Sequence, residues 1–489
     1  MSDTEELLLN DLTKYVSNRD RDIYTVSNIP EEVIAVIFAY VSRSPKSFRD
    51  NIGVVIEEEQ LGQERASKFH EKWVLNYGHA SVAEHAAVHM GIEKVSRLFS
   101  SVLELSNEYL SFTEYSQRYQ KPEKGDFYTP AELNGNMELK SEFKEICNKQ
   151  YDIYAELNDK LFEYLKESVP TPDGMEERIH HRALEKVAFE DARYALNLAT
   201  TTNLGMTGNA RAIEDSLSVM LSSRYAEVRD RASEIKEEVK FSVPTLIKYA
   251  NKNEYIISTR QSNEGFGNKY SEDKRRDIEG CEVNIIKGQE VSEDQALMDI
   301  ISAIVFEHSD LSYKEITDQI KEKSAAELLP LFKNTVENIR KYDNPLNVFK
   351  LVKYEVEFVI SEACWHQLLR HRKVEWIYKE PSISNGITVP PNISDSGTTE
   401  LLSEAIRLSE DYYNKLSGEG LIIPAAYIVT NAHNRRLIGK FDLWELYHLI
   451  NLRMSEGAQW DIKNVTTILS DKISGFHPNL VKPGLERIK

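Results

Sequence analysis

Apolar positions recur every three to four residues along most of this chain, and that period predicts helices. The longest such stretches are Glu84–Leu105, Asn209–Lys240, Asn347–His371 and Leu443–Asp471. Short runs rich in β-branched and aromatic residues, EYIIST, EVNII and GITV, predict a modest sheet. Helices predominate and strands do not alternate regularly with them, so the expected class is α+β, helix-rich, with small sheets packed by long helices.

The same pattern occurs twice. VIAVIFAYVSRSPKSFRD, from Val33, matches LMDIISAIVFEHSDLSYKE, from Leu297, in its apolar helix and in the polar turn that follows. EKVSRLFSSVLELSNEYLSFTEYSQRY, from Glu93, matches EFVISEACWHQLLRHRKVEWIYKEPSIS, from Glu357, at the same offset of 264 residues (93 to 357). FYTP, ending at Pro130, then matches ITVP, ending at Pro390. DSLSVMLSSRYAEVRDRASEI, from Asp215, pairs with HLINLRMSEGAQWDIKNV, from His448, at an offset of 233 (215 to 448). The first copy therefore carries extra residues after Pro130, mostly in the helical stretch beginning NMELKSEFKEIC. Two diverged copies in tandem are expected, at 1–265 and 280–489. The polar, Gly- and Asn-rich stretch over 259–280 would join them.

Composition narrows the functions. Lys and Arg total 60 against 79 Asp and Glu, a formal net charge of −19, which repels phosphate backbones and argues against nucleic acid as a partner. A local arginine cluster could still hold a small anion. The three cysteines, Cys147, Cys281 and Cys364, form no CxxC pair, which fits a reducing compartment. The N-terminal stretch lacks a signal-peptide core, and the longest apolar run is too short to cross a bilayer. A cytoplasmic protein with no membrane contact is expected. No GxGxxG or GxxxxGK[ST] sequence points to a Rossmann or P-loop site.

Three local patterns could carry chemistry. Gln367, Arg370, His371 and Arg372 close an apolar helix and offer planar forks for phosphate or carboxylate. A basic helix end meeting its own dipole is the plainer alternative. Glu114, Ser116, Gln117 and Arg118 form a polar turn suited to an anion, or an ordinary surface loop. Ser81 followed by Glu84 reads as a capping box opening a helix. His85 and His89, four apart, have a spacing that can hold a metal, but no third ligand follows at motif spacing and no metal is expected. Arg193, Asn209, Arg211 and Arg453 add polar groups that alone read as solvated or paired side chains.

Taken together, these residues resemble the flavin-dependent thymidylate synthases, and the resemblance covers most of the chain. The first copy is similar to that family in GHASVAEH, TEYSQRY, DARYAL and GNAR. It has Ser106-Asn107-Glu108 where the family has Arg-His-Arg, and Met220 at a late arginine position. The second copy keeps Gln367 and Arg370-His371-Arg372, as well as Arg453 and GAQWD. It has Glu380 and Ser382 where the family's loop has Ser and Arg, Asp442–Trp444 in place of Asn-Ala-Arg, and Gly457 for a late histidine. The losses are complementary. A fused pair could keep one composite site per chain, with the loop and GNAR from the first copy and the Arg-His-Arg helix from the second.

The resemblance implies the following assignments. FAD would bind at Ser81, Glu84, Asn209 and Arg211, with Arg370, His371 and Arg372 facing it and His79 near a pterin. A uridine monophosphate would be held by Gln367, Arg370, Glu114, Ser116, Gln117, Arg118 and Arg193. Arg453 would act catalytically by stabilising charge that develops on the uracil. The reaction implied is reductive methylation of dUMP to dTMP with a methylene-carrying reduced folate or pterin and NADPH, on a homodimer that imitates the family's tetramer. Two alternatives remain open. One is a flavin-dependent enzyme acting on another pyrimidine nucleotide; the other is a degenerate flavin- or nucleotide-binding protein without activity.

Overall fold

The computed structural model describes residues 12–40, 44–56, 80–270 and 278–488. The first copy runs α1 (Glu31–Tyr40), α2 (Phe48–Ile56), β1 (Ala87–Ser96), α3 (Arg97–Glu104), β2 (Ser111–Glu114), α4 (Met137–Ser168), α5 (Glu177–Ala192), β3 (Thr201–Asn209), α6 (Ala210–Leu221), α7 (Ala226–Val239) and α8 (Glu254–Tyr270). The second runs β4 (Glu282–Lys287), α9 (Glu293–Glu307), α10 (Tyr313–Ile320), α11 (Ala325–Val336), β5 (Lys353–Ser361), α12 (Glu362–Leu368), β6 (Glu375–Tyr378), α13 (Pro391–Asp395), α14 (Thr399–Gly418), α15 (Ile422–Ala425), β7 (Asn434–Asp442), α16 (Leu443–Arg453), α17 (Trp460–Ser474) and α18 (Pro478–Glu486). The α+β class holds, and so does the repeat.

Strand register fixes the equivalence of the copies. β3 pairs antiparallel with β1 from Ala87↔Asn209 to Ser96↔Thr201, and β7 pairs with β5 from Lys353↔Asp442 to Ser361↔Asn434. The offset of 233 residues (209 to 442) thus holds along the whole of β3 and β7. Each central strand then turns into a helix capped by its own last side chain. Asn209 Oδ1 accepts from Ala212 N–H and Asp442 Oδ1 accepts from Glu445 N–H, both at 2.9 Å. Ser96 and Ser361 cap α3 and α12 in the same way, each accepting at 2.9 Å from the N–H three residues on. The caps put β1/α3 against β5/α12 at an offset of 265 (96 to 361), one more than the sequence match gives. Opposite β3 and β7, Ser111 and Glu375 restore 264.

Several expected elements differ. The two apolar runs read as single helices, Glu84–Leu105 and Asn347–His371, are each a 3₁₀ turn, a strand and a short α-helix in sequence. Asn209–Lys240 and Leu443–Asp471 are each broken into two helices. EYIIST lies in α8, EVNII is β4, and GITV makes only single bridges through Ile387. Ser81 and Glu84 do not cap an α-helix: Ala80–His85 is 3₁₀ and leads into β1. The extra length of the first copy lies in α4, 32 residues against 20 in α14, and in α5, 16 against 4 in α15.

Two compact units are interleaved along the chain. The first comprises Met1–Tyr115, Pro130–Glu132 and Thr201–Ser271, and the second Ser116–Thr129, Leu133–Thr200 and Glu272–Lys489. In the first, a three-stranded sheet of order β1-β3-β2 is joined by a small core of Val16, Ile29, Val33, Val36, Ile37 and Ile52 around α1. Glu32 ties that helix down, accepting from the N–H groups of Thr245 and Leu246 at 2.6 and 3.1 Å.

The second unit has a four-stranded sheet, β4-β5-β7-β6, and a core drawn from both copies. Tyr154, Leu157, Leu161 and Leu184 of α4 and α5 pack with Ile393, Leu402, Ala405 and Ile406 of α13 and α14. Burial of each such leucine stabilises the fold by about 1.5–3 kcal/mol. Gln150 Nε2 donates to the Ala405 carbonyl at 3.0 Å, and Tyr412 Oη to the Leu139 carbonyl at 2.6 Å. No described helix is long and apolar enough to cross a membrane.

Candidate functional site

Within the second unit, the loop after β2 and the end of α12 both reach the segment between α16 and α17. Ser116 opens a tight turn, its carbonyl accepting from Tyr119 N–H at 3.0 Å and its Oγ from Arg118 N–H at 3.2 Å. Arg118 donates from Nε to Glu190 of α5 at 2.6 Å and from Nη2 to the Gly457 carbonyl at 3.1 Å. A first-copy loop residue thereby reaches the segment between α16 and α17 of the second copy. Asn431, 2% exposed, donates to the Arg193 carbonyl at 2.9 Å and to Gln117 Oε1 at 3.3 Å. Gln117 is itself buried, and its Nε2 has no hydrogen-bond partner among the described residues. An amide donor left this way costs about 1–3 kcal/mol unless something else accepts from it.

Gln367 enters from the other side. Its Nε2 donates to the Ala363 carbonyl at 3.1 Å and to Gln459 Oε1 at 3.2 Å. Gln459 Nε2 in turn donates to the hydroxyl of Tyr194, which donates to Asp461 Oδ2 at 2.7 Å. Ser361 Oγ donates to the same oxygen at 2.5 Å. Burial raises the Asp461 carboxyl, against the hydrogen bonds from Ser361 and Tyr194 that lower it, and holds the Tyr194 hydroxyl well above its usual range. Beside it, Asp191 accepts from Trp460 Nε1 and Asn392 Nδ2, both at 2.7 Å, and burial pushes its pKa up to about 6.

Arg453, the last residue of α16, lies at the centre. Its Nε donates to His371 Nε2 at 2.9 Å and its Nη2 to the Gln367 carbonyl at 2.8 Å. Burial, together with the positive charges of Arg370 and Arg118, pulls its pKa down to about 10. The positive charges of Arg370 and Arg118 therefore act on Arg453, although Glu190 pairs with Arg118, and a small anion would relieve that repulsion.

The other expected site residues are placed differently. His371 is 3% exposed, with its ring held between Glu445 and Arg453 rather than open to a cofactor. Burial and Arg453 hold its pKa well below the usual imidazole value, so it is neutral. Arg370 and Arg372 are exposed, with Arg370 Nε donating to the His366 carbonyl at 3.2 Å.

In the first unit, Glu114 is buried and ion-paired with Arg97. Glu84 pairs with Arg211, both half exposed, while Ser81 is exposed and Asn209 caps α6. His79 lies outside the described residues. His85 stacks on Phe38 at 4.8 Å and His89, on β1, bonds Thr207 at 2.9 Å, so the two share no helix face. His371, Glu445 and His448 offer ligand atoms within 4.8 Å of one another, but Arg453 and Lys373 beside them oppose a cation.

The reading of single residues missed Glu190, Asn431 and Glu445. Tyr194 and Asp461 lay inside quoted motifs but were given no role. One signal was available for Glu445, which stands eight residues, about two helical turns, before Arg453 on one face of α16.

Comparison with known proteins places these features in a family. The family model described as thymidylate synthase complementing protein matches residues 24–245 and 291–479, one stretch in each copy. A flavin-dependent thymidylate synthase from Clostridium tetani is 30% identical over 222 residues, 45% of this chain and 82% of that protein. The chain belongs to the thymidylate synthase complementing protein family, as a fused tandem duplication. Similar over nearly full length are a UPF0159 protein from Chlamydia muridarum, 23% identical across 96% of this chain and 92% of that one, and a UPF0159 protein from Thermoplasma acidophilum, 24% identical across 90% and 93%.

Proposed function

We propose that the protein is a flavin-dependent thymidylate synthase that converts dUMP to dTMP through one site per chain. The observation that carries this reading is that, in the second unit, Arg453 bonds the Gln367 carbonyl and is acted on by the charges of Arg370 and Arg118, in a unit that also holds the partnerless buried amide of Gln117. Guanidinium forks suit a phosphate, and a buried amide donor suits a uracil carbonyl. In this reading Ser116, Gln117, Arg118 and Arg193 hold the nucleotide from the first copy, and Gln367 and Arg370 from the second. Arg453, kept as a cation and fixed by two hydrogen bonds, stabilises the negative charge that develops on the uracil ring as its carbon becomes nucleophilic. The Tyr194–Asp461 network orients Gln459 and, through it, Gln367.

The donor set of Ser81, Glu84, Asn209 and Arg211 fits FAD: Arg211 is accessible and suits a diphosphate, and Asn209 starts a helix. The second copy's counterparts do not fit. Asp442 is acidic, and Trp444 is 9% exposed, its Nε1–H donating to the Pro345 carbonyl at 2.9 Å and its ring covered by Lys373 at 3.4 Å. When bound, the flavin would supply the reducing electrons. A reduced folate or pterin would supply the one-carbon unit and NADPH the hydride, and fused chains would pair as a homodimer.

The test is the visible spectrum of the purified protein with and without dUMP, followed by assay of dTMP. About one FAD per chain, perturbed by dUMP, with dTMP formed, is expected. Two FAD per chain would mean that both copies keep a site. A protein that takes up no FAD would leave a binding protein without this chemistry.

A further inference from the structure

The reading above makes Arg453 the residue that meets the reacting ring, and the inference here rests on that reading. We propose that Glu445 is the positioning residue for Arg453, acting through His371: its buried carboxylate fixes the imidazole as the Nδ1–H tautomer, which leaves Nε2 as the acceptor for the Arg453 guanidinium. The geometry has little slack. Glu445 Oε1 lies 2.8 Å from His371 Nδ1, and Arg453 Nε lies 2.9 Å from His371 Nε2. Glu445 and His371 are 2% and 3% exposed, so water does not compete for either nitrogen.

The hydrogen bonding admits one arrangement. Arg453 Nε–H can only donate, so Nε2 must be the unprotonated nitrogen and Nδ1 must carry the hydrogen. An acceptor opposite Nδ1 holds the ring in that tautomer independently of the arginine, and Glu445 is that acceptor. The other tautomer would set N–H against N–H and drive the guanidinium away from Gln367.

The repeat supplies an independent observation. Glu445 is the third residue after the cap Asp442; its counterpart after Asn209 is Ala212. Arg453 corresponds to Met220. His371 corresponds to Ser106 counted from the caps Ser96 and Ser361, or to Asn107 counted from β2 and β6. No His or Arg stands anywhere from Leu105 to Glu108. Ser106 instead bonds Ser216, and Ser216 donates to the Met220 sulfur. All three members are kept in one copy and all three are replaced in the other, as expected of groups that work as a unit. A carboxylate needed only to cap or pack α16 would have no reason to be lost together with the arginine two turns away.

Two readouts test this. The first is the ¹⁵N–¹H correlation spectrum of histidine-labelled protein, with His371 assigned by difference from His371→Asn and recorded without nucleotide. The Nδ1–H pattern is expected in the wild type and in Glu445→Gln, whose amide oxygen still accepts. A mixture of tautomers is expected in Glu445→Ala. The second is a double-mutant cycle on kcat for dTMP formation, read at matched flavin content. Misplacing a catalytic group by about 1 Å can cost on the order of 100-fold, so Glu445→Ala is expected to lose roughly 10- to 100-fold in kcat. Glu445→Gln is expected to recover most of that loss, and Glu445→Ala with Arg453→Met to be no slower than Arg453→Met alone.

An Nε2–H tautomer in the wild type, or multiplicative losses in the cycle, would overturn the proposal. A wild type that binds FAD but neither binds nor converts dUMP would sink the nucleotide reading alone, because the tautomer spectrum is read in its absence.

Discussion

Replacing Arg453 by methionine gives the second copy the residue that the first copy carries at the equivalent position, Met220. The side chains are similar in length, so the change removes charge and donors more than volume. Two hydrogen bonds disappear, to His371 Nε2 and to the Gln367 carbonyl. Each contributes about 0.5–1.5 kcal/mol net, and the thioether avoids the cost of holding a guanidinium against Arg370 and Arg118. The net loss of stability is therefore expected to stay below about 2 kcal/mol, a fall of a few degrees in Tm for a unit of this size. The effect on the reaction is far larger. Loss of one donor aimed at developing charge costs about 10²–10³ in kcat, or roughly 2.7–4 kcal/mol. The KM for dUMP is expected to change much less, because in the proposed reading Arg118 and Arg370 hold the phosphate and are untouched by the substitution. The assay is initial-rate dTMP formation at saturating dUMP, with FAD content measured by absorbance on the same sample. A kcat within a few-fold of wild type, at unchanged FAD content, would refute the assignment of Arg453 to the reacting ring.

Other substitutions test the scaffold. Asn431→Ala removes the donor to both Gln117 and the Arg193 carbonyl, and is expected to cost about 1–3 kcal/mol in urea unfolding and to raise KM for dUMP; no change in either would show that the bridge is idle. Asp191, raised to about 6 by burial, holds its proton more tightly in the native than in the unfolded chain, where its pKa is near 3.9. Stability is therefore expected to fall as pH rises from about 4 to 6, by up to roughly 3 kcal/mol, and Asp191→Asn should flatten that part of the urea-derived profile; equal slopes would contradict it. Gly386 has φ +76°, and a Cβ there would lie 2.0 Å from the Ile278 carbonyl oxygen, so Gly386→Ala is expected to yield insoluble or unfolded protein, judged by soluble yield and circular dichroism.

The repeat was legible because apolar spacing and turn residues survive where identity does not. The late arginine equivalence was also legible, since the offset of 233 runs unbroken through β3 and β7. The strands β1 and β5 were not. Each passes straight into a helix through a capping serine, with no glycine or proline between them, so a window centred on the join sees one long apolar run. The buried half of β5 deepens the confusion, because Phe358 to Ser361 are all buried and show no alternation. In the site, the arginines and Gln367 could be found because they stand in motifs. Asn431 and Glu190 could not, since an isolated polar residue announces nothing until its burial and its partner are known. His371 was found but given an open position, whereas Glu445 and Arg453 enclose its ring.

The shared core of α4, α5, α13 and α14 also sets a timetable for synthesis. Tyr194 meets Asp461 across 267 residues of chain, and Tyr412 meets Leu139 across 273. At about 5–20 residues per second, the apolar faces of α4 and α5 leave the ribosome roughly 13–55 s before their partners exist. Through that interval Leu157, Leu161 and Leu184 have only the cover that α4 and α5 give each other, and a nascent chain stalled near residue 270 would leave bare the face that α13 and α14 later cover. Fusion of the two copies spares the finished halves a search for one another, at the expense of a long wait by the first half for the second.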